Sequence, residues 1–213
     1  MDGMGTSVIE IRDLRVVAGR DGGRWGPVSL SVGRGEVHAV LGGHGTGKTT
    51  LLETVAGQRR AVSGSVRVSG GGPGVVWREG GLFPGLTVAE VVDAWRRWTL
   101  DPLTRAQALR LTGLAGLASV TFERLDAAER RLLDLALALV GRSDILLLDE
   151  PFAGLEASAA SRVRGVLRSL AGDGTTILFT TRDIGEACRA DHVTVLDGDL
   201  PFLGITVPAV HAA

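Results

Sequence analysis

Gly42-Gly43-His44-Gly45-Thr46-Gly47-Lys48-Thr49 is the stretch whose reading decides the fold. It fits G-x-x-x-x-G-K-[ST], a loop whose backbone N–H groups turn inward on phosphate oxygens. Glycines permit that inward turn, and the positive end of the helix that follows adds to the attraction. Upstream, residues 36–41 end in an apolar run and read as a strand. Downstream, residues 48–56 carry apolar side chains at 51, 52, 55 and 56, one helical face, with Gly57 as the C-cap. With 31 glycines in the chain a chance match must be weighed, and composition speaks against it. Of 23 basic residues Lys48 alone is lysine. Its ammonium is a compact point charge that fits a tight loop, where the planar fork of arginine does not. Lys48 would bridge β- and γ-phosphates and serve catalysis there, and the Thr49 hydroxyl would ligate Mg²⁺. Thr50, next along the helix, joins the set expected around the nucleotide.

A second stretch complements the first. Ile145–Leu148 is a continuous apolar run, too short for a helix, followed by Asp149 and Glu150. That pattern predicts a central strand of a parallel sheet. A carboxylate at its end, Asp149, can hold the Mg²⁺ shell beside Thr49, and Glu150 can polarise an attacking water.

The rest of the chain supplies a frame. Residues 8–17 near-alternate and read as a half-buried edge strand; 28–32 reads as a strand, as do the short runs 66–68 and 75–77. Thr87 and Glu90 form a capping box ahead of a helix running to Trp98. Pro102 opens a second helix over 103–111, and 126–140 is a third. Helix 157–170, strand 175–180, helix 183–190 and strand His192–Leu196 follow in βαβ order. Such alternation predicts a parallel sheet covered on both faces, with the ligand at the carboxyl ends of its strands.

Bulk properties fit this frame. With 213 residues, 45% hydrophobic and 22% charged, the chain reads as one globular unit. A net charge of −1 gives no whole-chain pull toward nucleic acid, and no nucleic-acid partner is expected. No apolar run approaches the roughly 20 residues of a spanning helix, and residues 1–7 lack the features of a signal peptide. The single cysteine, Cys188, suits a cytoplasmic protein and reads as a half-buried helix residue.

In this order the pieces resemble the nucleotide-binding domain of ABC transporters, over nearly the whole chain. Asp149-Glu150-Pro151-Phe152-Ala153-Gly154-Leu155 looks like the family's Walker B strand entering its D-loop. Gly81-Leu82-Phe83-Pro84-Gly85-Leu86-Thr87-Val88 looks like the stretch after the Q-loop, and Leu178-Phe179-Thr180-Thr181 leads to the switch position. Leu196-Asp197-Gly198 looks like the opening of the final strands, beyond which no regulatory domain is expected. The resemblance implies an α/β P-loop NTPase fold of RecA-like type. It has a mainly parallel sheet core (1–84 and 143–213), an antiparallel N-terminal β part and an inserted helical subdomain (85–142). It also implies ATP and Mg²⁺ as ligands, transmembrane permease subunits and a second ATP-binding subunit as partners, and a peripheral place on the inner face of the cell membrane.

Five motifs depart from the family pattern. The Q-loop glutamine is Arg78, the switch histidine falls on Arg182, and the D-loop aspartate is Glu156. The adenine-stacking aromatic appears as Ala18, with Trp25 as a substitute. The signature, normally Leu-Ser-Gly-Gly-Gln, reads Leu125-Asp126-Ala127-Ala128-Glu129. A carboxylate at 126 facing a γ-phosphate at about 4 Å would cost roughly 4 kcal/mol at an effective dielectric near 20. Asp126 with Glu129 reads better as a reciprocal N-cap, an ordinary helix start. Guanidinium groups at 78 and 182 have no lone pair for Mg²⁺ and do not shuttle protons at neutral pH. They can reach phosphate oxygens, pair with Glu150 or Glu79, or lie in solvent. Three functions compete on this evidence: an energy-coupling transporter subunit, a slow or inactive module of the same fold, and a small-molecule P-loop kinase.

Overall fold

The structure, a computed structural model, describes residues 7–18, 23–196 and 206–208. Six strands form the main sheet: β3 (Val37–Gly42), β5 (Gly74–Val76), β6 (Ile145–Leu148), β7 (Thr176–Thr181), β8 (His192–Leu196) and β9 (Thr206–Pro208). Their order is β5-β6-β7-β3-β8-β9, parallel throughout except for β9 against β8. A second, antiparallel sheet holds β1 (Ser7–Ala18), β2 (Gly23–Gly33) and β4 (Ser63–Val68) in the order β2-β1-β4. The expectation of an edge strand near the N-terminus is therefore corrected. β1 is the middle strand, and its Ile9, Ile11 and Leu14 face the core while Arg12 and Arg15 face solvent.

Burial explains why β6 is an unbroken apolar run. Ile145 and Leu147 enter one core cluster with Leu51, Leu52 and Val55 and the inward side chains of β1 and β2. Leu146 and Leu148 enter the other, with the helices of the opposite face. A strand wetted on neither side has no place for a polar residue in its alternation. Helix α1 (Lys48–Val55) is thus packed between the two sheets.

Between β5 and β6 come α2 (Val88–Arg96), α3 (Arg105–Leu111) and α4 (Ala127–Leu139). The capping box of Thr87 and Glu90 is present, and α2 ends two residues before Trp98. Pro102 does not open α3. Thr104 does, accepting from Gln107 N–H while Gln107 caps in return. Asp126 and Glu129 make the same reciprocal box at the start of α4. Helices α5 (Ala157–Gly172) and α6 (Ile184–Ala187) complete the chain of elements, α6 being shorter than expected. Cys188 caps α6 and is exposed, not half-buried.

Candidate nucleotide site

β3, β7 and β6 are neighbours, so their carboxyl ends deliver residues 42–49, Thr180 to Arg182, and Asp149 with Glu150 to one place. β5, beside β6, adds Arg78 two residues past its own end. Sequence separations of about 100 residues collapse into hydrogen-bond contact because the strands are parallel and in register.

The loop is built as its glycines require. A Cβ on Gly42 would stand 2.5 Å from Thr46 Oγ1 and 2.7 Å from the Leu196 carbonyl. Gly47, the N-cap of α1, has φ 85°, a left-handed conformation that disfavours any side chain. Thr46 ties the turn by donating to the Gly43 carbonyl at 3.0 Å. Lys48 is buried and donates to the carbonyls of Gly42 at 2.8 Å and Gly43 at 2.6 Å, so its ammonium lies against the loop backbone. Burial lowers its pKa from the usual lysine value; Glu150 and Asp149 oppose that shift, while Arg182 and Arg78 reinforce it. His44 and Gly45 are exposed at the tip, and Thr50 is buried on α1.

Thr49 donates to Asp149 Oδ2 at 2.9 Å, and Thr180 donates to Asp149 Oδ1 at 2.6 Å. Both carboxylate oxygens are thereby fixed in a residue only 4% exposed. One hydroxyl and one carboxylate oxygen side by side form a hard-oxygen donor pair. It suits Mg²⁺, which keeps its waters and takes one or two protein oxygens plus phosphates. The residues present fit the ion.

Glu150 is 11% exposed and carries a left-handed φ of 45°. A non-glycine residue in that region is held by its surroundings, typically at functional sites. Here its N–H donates to Thr180 Oγ1 at 3.0 Å. Its carboxylate meets three cations: Arg182 through Nη2 at 2.7 Å and Nε at 3.1 Å, Arg78 Nε at 3.7 Å, and Lys48 Nζ at 3.9 Å. Of the two carboxylates foreseen as partners for Arg78 and Arg182, both guanidinium groups meet Glu150.

Two residues escaped the sequence reading. Arg131, mostly buried on α4, donates to the carbonyls of Trp77 and Arg78, both at 2.8 Å, and Asp134 accepts from Gly81 N–H at 3.1 Å. Together they clamp the 77–81 loop to α4. The available signal was a pair of charges three residues apart inside an otherwise apolar helix face. At the signature stretch, Asp126 Oδ1 accepts from Glu129 N–H at 2.7 Å and Oδ2 pairs with Arg162 at 2.8 Å. Burial pushes the Asp126 carboxyl up, but the Glu129 N–H, Arg162 and the Ala128 N–H outweigh it and draw the group below its usual range. The stacking position assigned to Ala18 or Trp25 lies outside the described side chains.

Comparisons with known proteins place the chain in a family. The family model described as "ABC transporter" matches residues 26–153, and one for an AAA domain matches 128–185. The taurine import ATP-binding protein of Pelagibacter ubique is 35% identical over 173 residues, covering 75% of this chain and 65% of that protein. An aliphatic sulfonates import ATP-binding protein of Pseudomonas aeruginosa is 33% identical over 210 residues, covering 90% and 81%. A solved metal-chelate type ABC transporter in an inward-facing conformation superposes with TM-score 0.81 at 25% identity, covering 90% of this chain and 80% of that one. The chain thus spans just under two thirds of the taurine relative and most of the sulfonate one. Family model, relatives and fold point the same way, and the chain belongs to the ABC transporter family as an ATP-binding cassette.

Proposed function

We propose that the chain is the ATP-hydrolysing subunit of an ABC transporter and couples nucleotide turnover to transport by transmembrane permease subunits. The observation that carries this reading is the meeting of Lys48, Thr49, Asp149 and Glu150 at the carboxyl ends of β3 and β6. The 42–49 backbone would cradle the phosphates, with Lys48 across the β- and γ-phosphates. Thr49 and Asp149 would hold Mg²⁺, which when bound neutralises developing phosphate charge. Glu150 would take the proton of a water whose oxygen bonds to the γ-phosphorus as the bond to the β-phosphate oxygen breaks, releasing ADP and phosphate. The proposal includes the division into a core (1–84, 143–213) and a helical insert (85–142).

Turnover by the chain alone should be slow. Glu150 is engaged by guanidinium groups, and neither Arg78 nor Arg182 can do what glutamine and histidine do at those positions. A homodimer would bring Asp126 toward the opposite γ-phosphate, although Arg162 offsets part of that charge. The same features support a second reading, a weakly hydrolytic half of a heterodimer whose partner carries an intact signature. In either case the partners are a second ATP-binding subunit and permease subunits, at the cytoplasmic face of a membrane. The groove that would receive a permease segment, about 440 Å³, is lined by Trp77, Gly81, Phe83, Trp95, Asp134 and Ala138 among others.

A phosphate-release assay tests the proposal. Weak Mg²⁺-dependent hydrolysis is expected, lost in Glu150→Gln. The triple change Asp126→Ser, Ala127→Gly, Ala128→Gly should raise both ATP-dependent dimerisation and turnover, and Arg182→His should add to it only in that background. Wild type as fast as the restored variants would remove the slow reading, and no turnover in any variant would remove the hydrolytic one.

A further inference from the structure

Three cations converge on the one carboxylate of Glu150, and the imbalance is informative. Lys48, Arg78 and Arg182 all lie within 4 Å of it, at 3.9, 3.7 and 2.7 Å. Including Asp149, whose two oxygens already accept from Thr49 and Thr180, three positive charges face two negative ones. The guanidinium groups are not spent on Glu150. Arg182 uses Nε and Nη2, and Arg78 contributes a charge contact without a hydrogen bond. A guanidinium carries five N–H donors, so most remain for another anion. Both are also partly exposed, Arg182 by 40% and Arg78 by 49%.

The groups that hold this cluster are themselves held by hydrogen bonds. Glu150 is pinned through Thr180, and the backbone at Arg78 is pinned by Arg131 Nη2 at 2.8 Å. Lys48 is fixed on the loop carbonyls. An anion beyond the β-phosphate would therefore meet two guanidinium groups whose one acidic partner among the described residues is Glu150.

We propose that Arg182, assisted by Arg78, makes the site selective for a nucleoside triphosphate over a diphosphate by exchanging Glu150 for the terminal phosphate. This rests on the nucleotide-site reading above. Without a triphosphate, Arg182 occupies Glu150 Oε2 and withholds it from water. With one, the guanidinium groups move to an anion of higher charge with three acceptor oxygens, a stronger partner than one carboxylate. Glu150 is freed by the ligand it is to act on. A diphosphate offers no anion at that distance from Lys48 and leaves the Arg182–Glu150 pair closed.

The test is equilibrium titration with a slowly hydrolysed fluorescent ATP analogue and the matching ADP analogue, in Mg²⁺. Arg182→Ala should weaken the triphosphate about tenfold or more and the diphosphate less than about twofold, and Arg78→Ala should do the same more weakly. Glu150→Gln should tighten the triphosphate, and that gain should vanish in the Glu150→Gln, Arg182→Ala double variant. Arg182→Lys should be intermediate. An unchanged triphosphate-to-diphosphate ratio in Arg182→Ala would overturn the proposal. So would a Glu150→Gln gain that survives without Arg182, since removal of a nearby negative charge would then explain it. If Arg182→Ala loses the diphosphate as well through misfolding, Arg182→Gln and the cycle with Glu150→Gln decide the same ratio. A wild type that binds neither analogue refutes the nucleotide site itself and with it this proposal.

Discussion

Thr180 donates to Asp149 Oδ1 at 2.6 Å and accepts the N–H of Glu150 at 3.0 Å with the same oxygen, locking two consecutive acidic residues from the neighbouring strand. Thr180 is fully buried, and Asp149 is only 4% exposed. Thr180→Val keeps the volume and removes both bonds. A buried polar group left without its partner costs about 1–3 kcal/mol. Urea unfolding should therefore show a loss of about 2 kcal/mol, with weaker Mg²⁺-dependent nucleotide binding. Wild-type stability in this variant would mean that other groups orient Asp149.

Asp126 begins α4 with its carboxylate on Glu129 N–H. Loss of such a cap costs about 1 kcal/mol, and serine keeps it. Asp126→Ala should lower unfolding free energy by about that amount, whereas Asp126→Ser should leave it almost unchanged. Equal destabilisation by both would show that the Arg162 ion pair, not the cap, holds this helix start.

His38 is fully buried in β3, its Nε2 2.8 Å from Thr194 Oγ1. Burial, then the nearby His192, hold its pKa down from 6.5 to about 4, with Asp191 opposing. The sign follows from proton counting. Between about 6.5 and 4 the unfolded chain binds a proton that the folded chain refuses, so stability is full above 6.5, falls as pH drops to about 4, and levels below. From pH 6.5 to pH 5 the loss should be about 2 kcal/mol at 1.36 kcal/mol per unit. Denaturation midpoints across that range should show it, and His38→Leu should flatten the slope attributable to this residue.

Trp95, half-exposed, lines the groove that would seat a permease segment, and Trp98, just past the end of α2, is 91% exposed. Large aromatic side chains left in water are favoured anchors at interfaces. Trp98→Glu should reduce co-sedimentation with membranes holding the permease while ATP affinity stays constant. Undiminished membrane association would place the docking surface elsewhere.

Much of this was readable from the residues. The 42–49 loop, the strand Ile145–Leu148 and the caps at Thr87 and Asp126 rest on local chemistry: a glycine's φ, an unbroken apolar run, a side chain three residues from its partner. β1 was misplaced because alternation reports which faces of a strand are wet, and says nothing of how many neighbours it has. Pro102 suggests an opening for α3, but Thr104 and Gln107 make it, with the same reciprocal box as Thr87 and Glu90. Pairing of Arg78 and Arg182 with Glu150 is among the options the residues offer, but that Lys48 joins both on one carboxylate follows only from the strand order that brings 48, 78, 150 and 182 together.

The central claim is that residues 42–49 bind ATP through the one compact cation of the chain. Equilibrium titration of wild type and Lys48→Ala with a fluorescent ATP analogue, in Mg²⁺, tests it most directly. Saturable binding by wild type and its loss in the variant, with the variant still folded by circular dichroism, is the expected result. Equal affinity in the two proteins would contradict it.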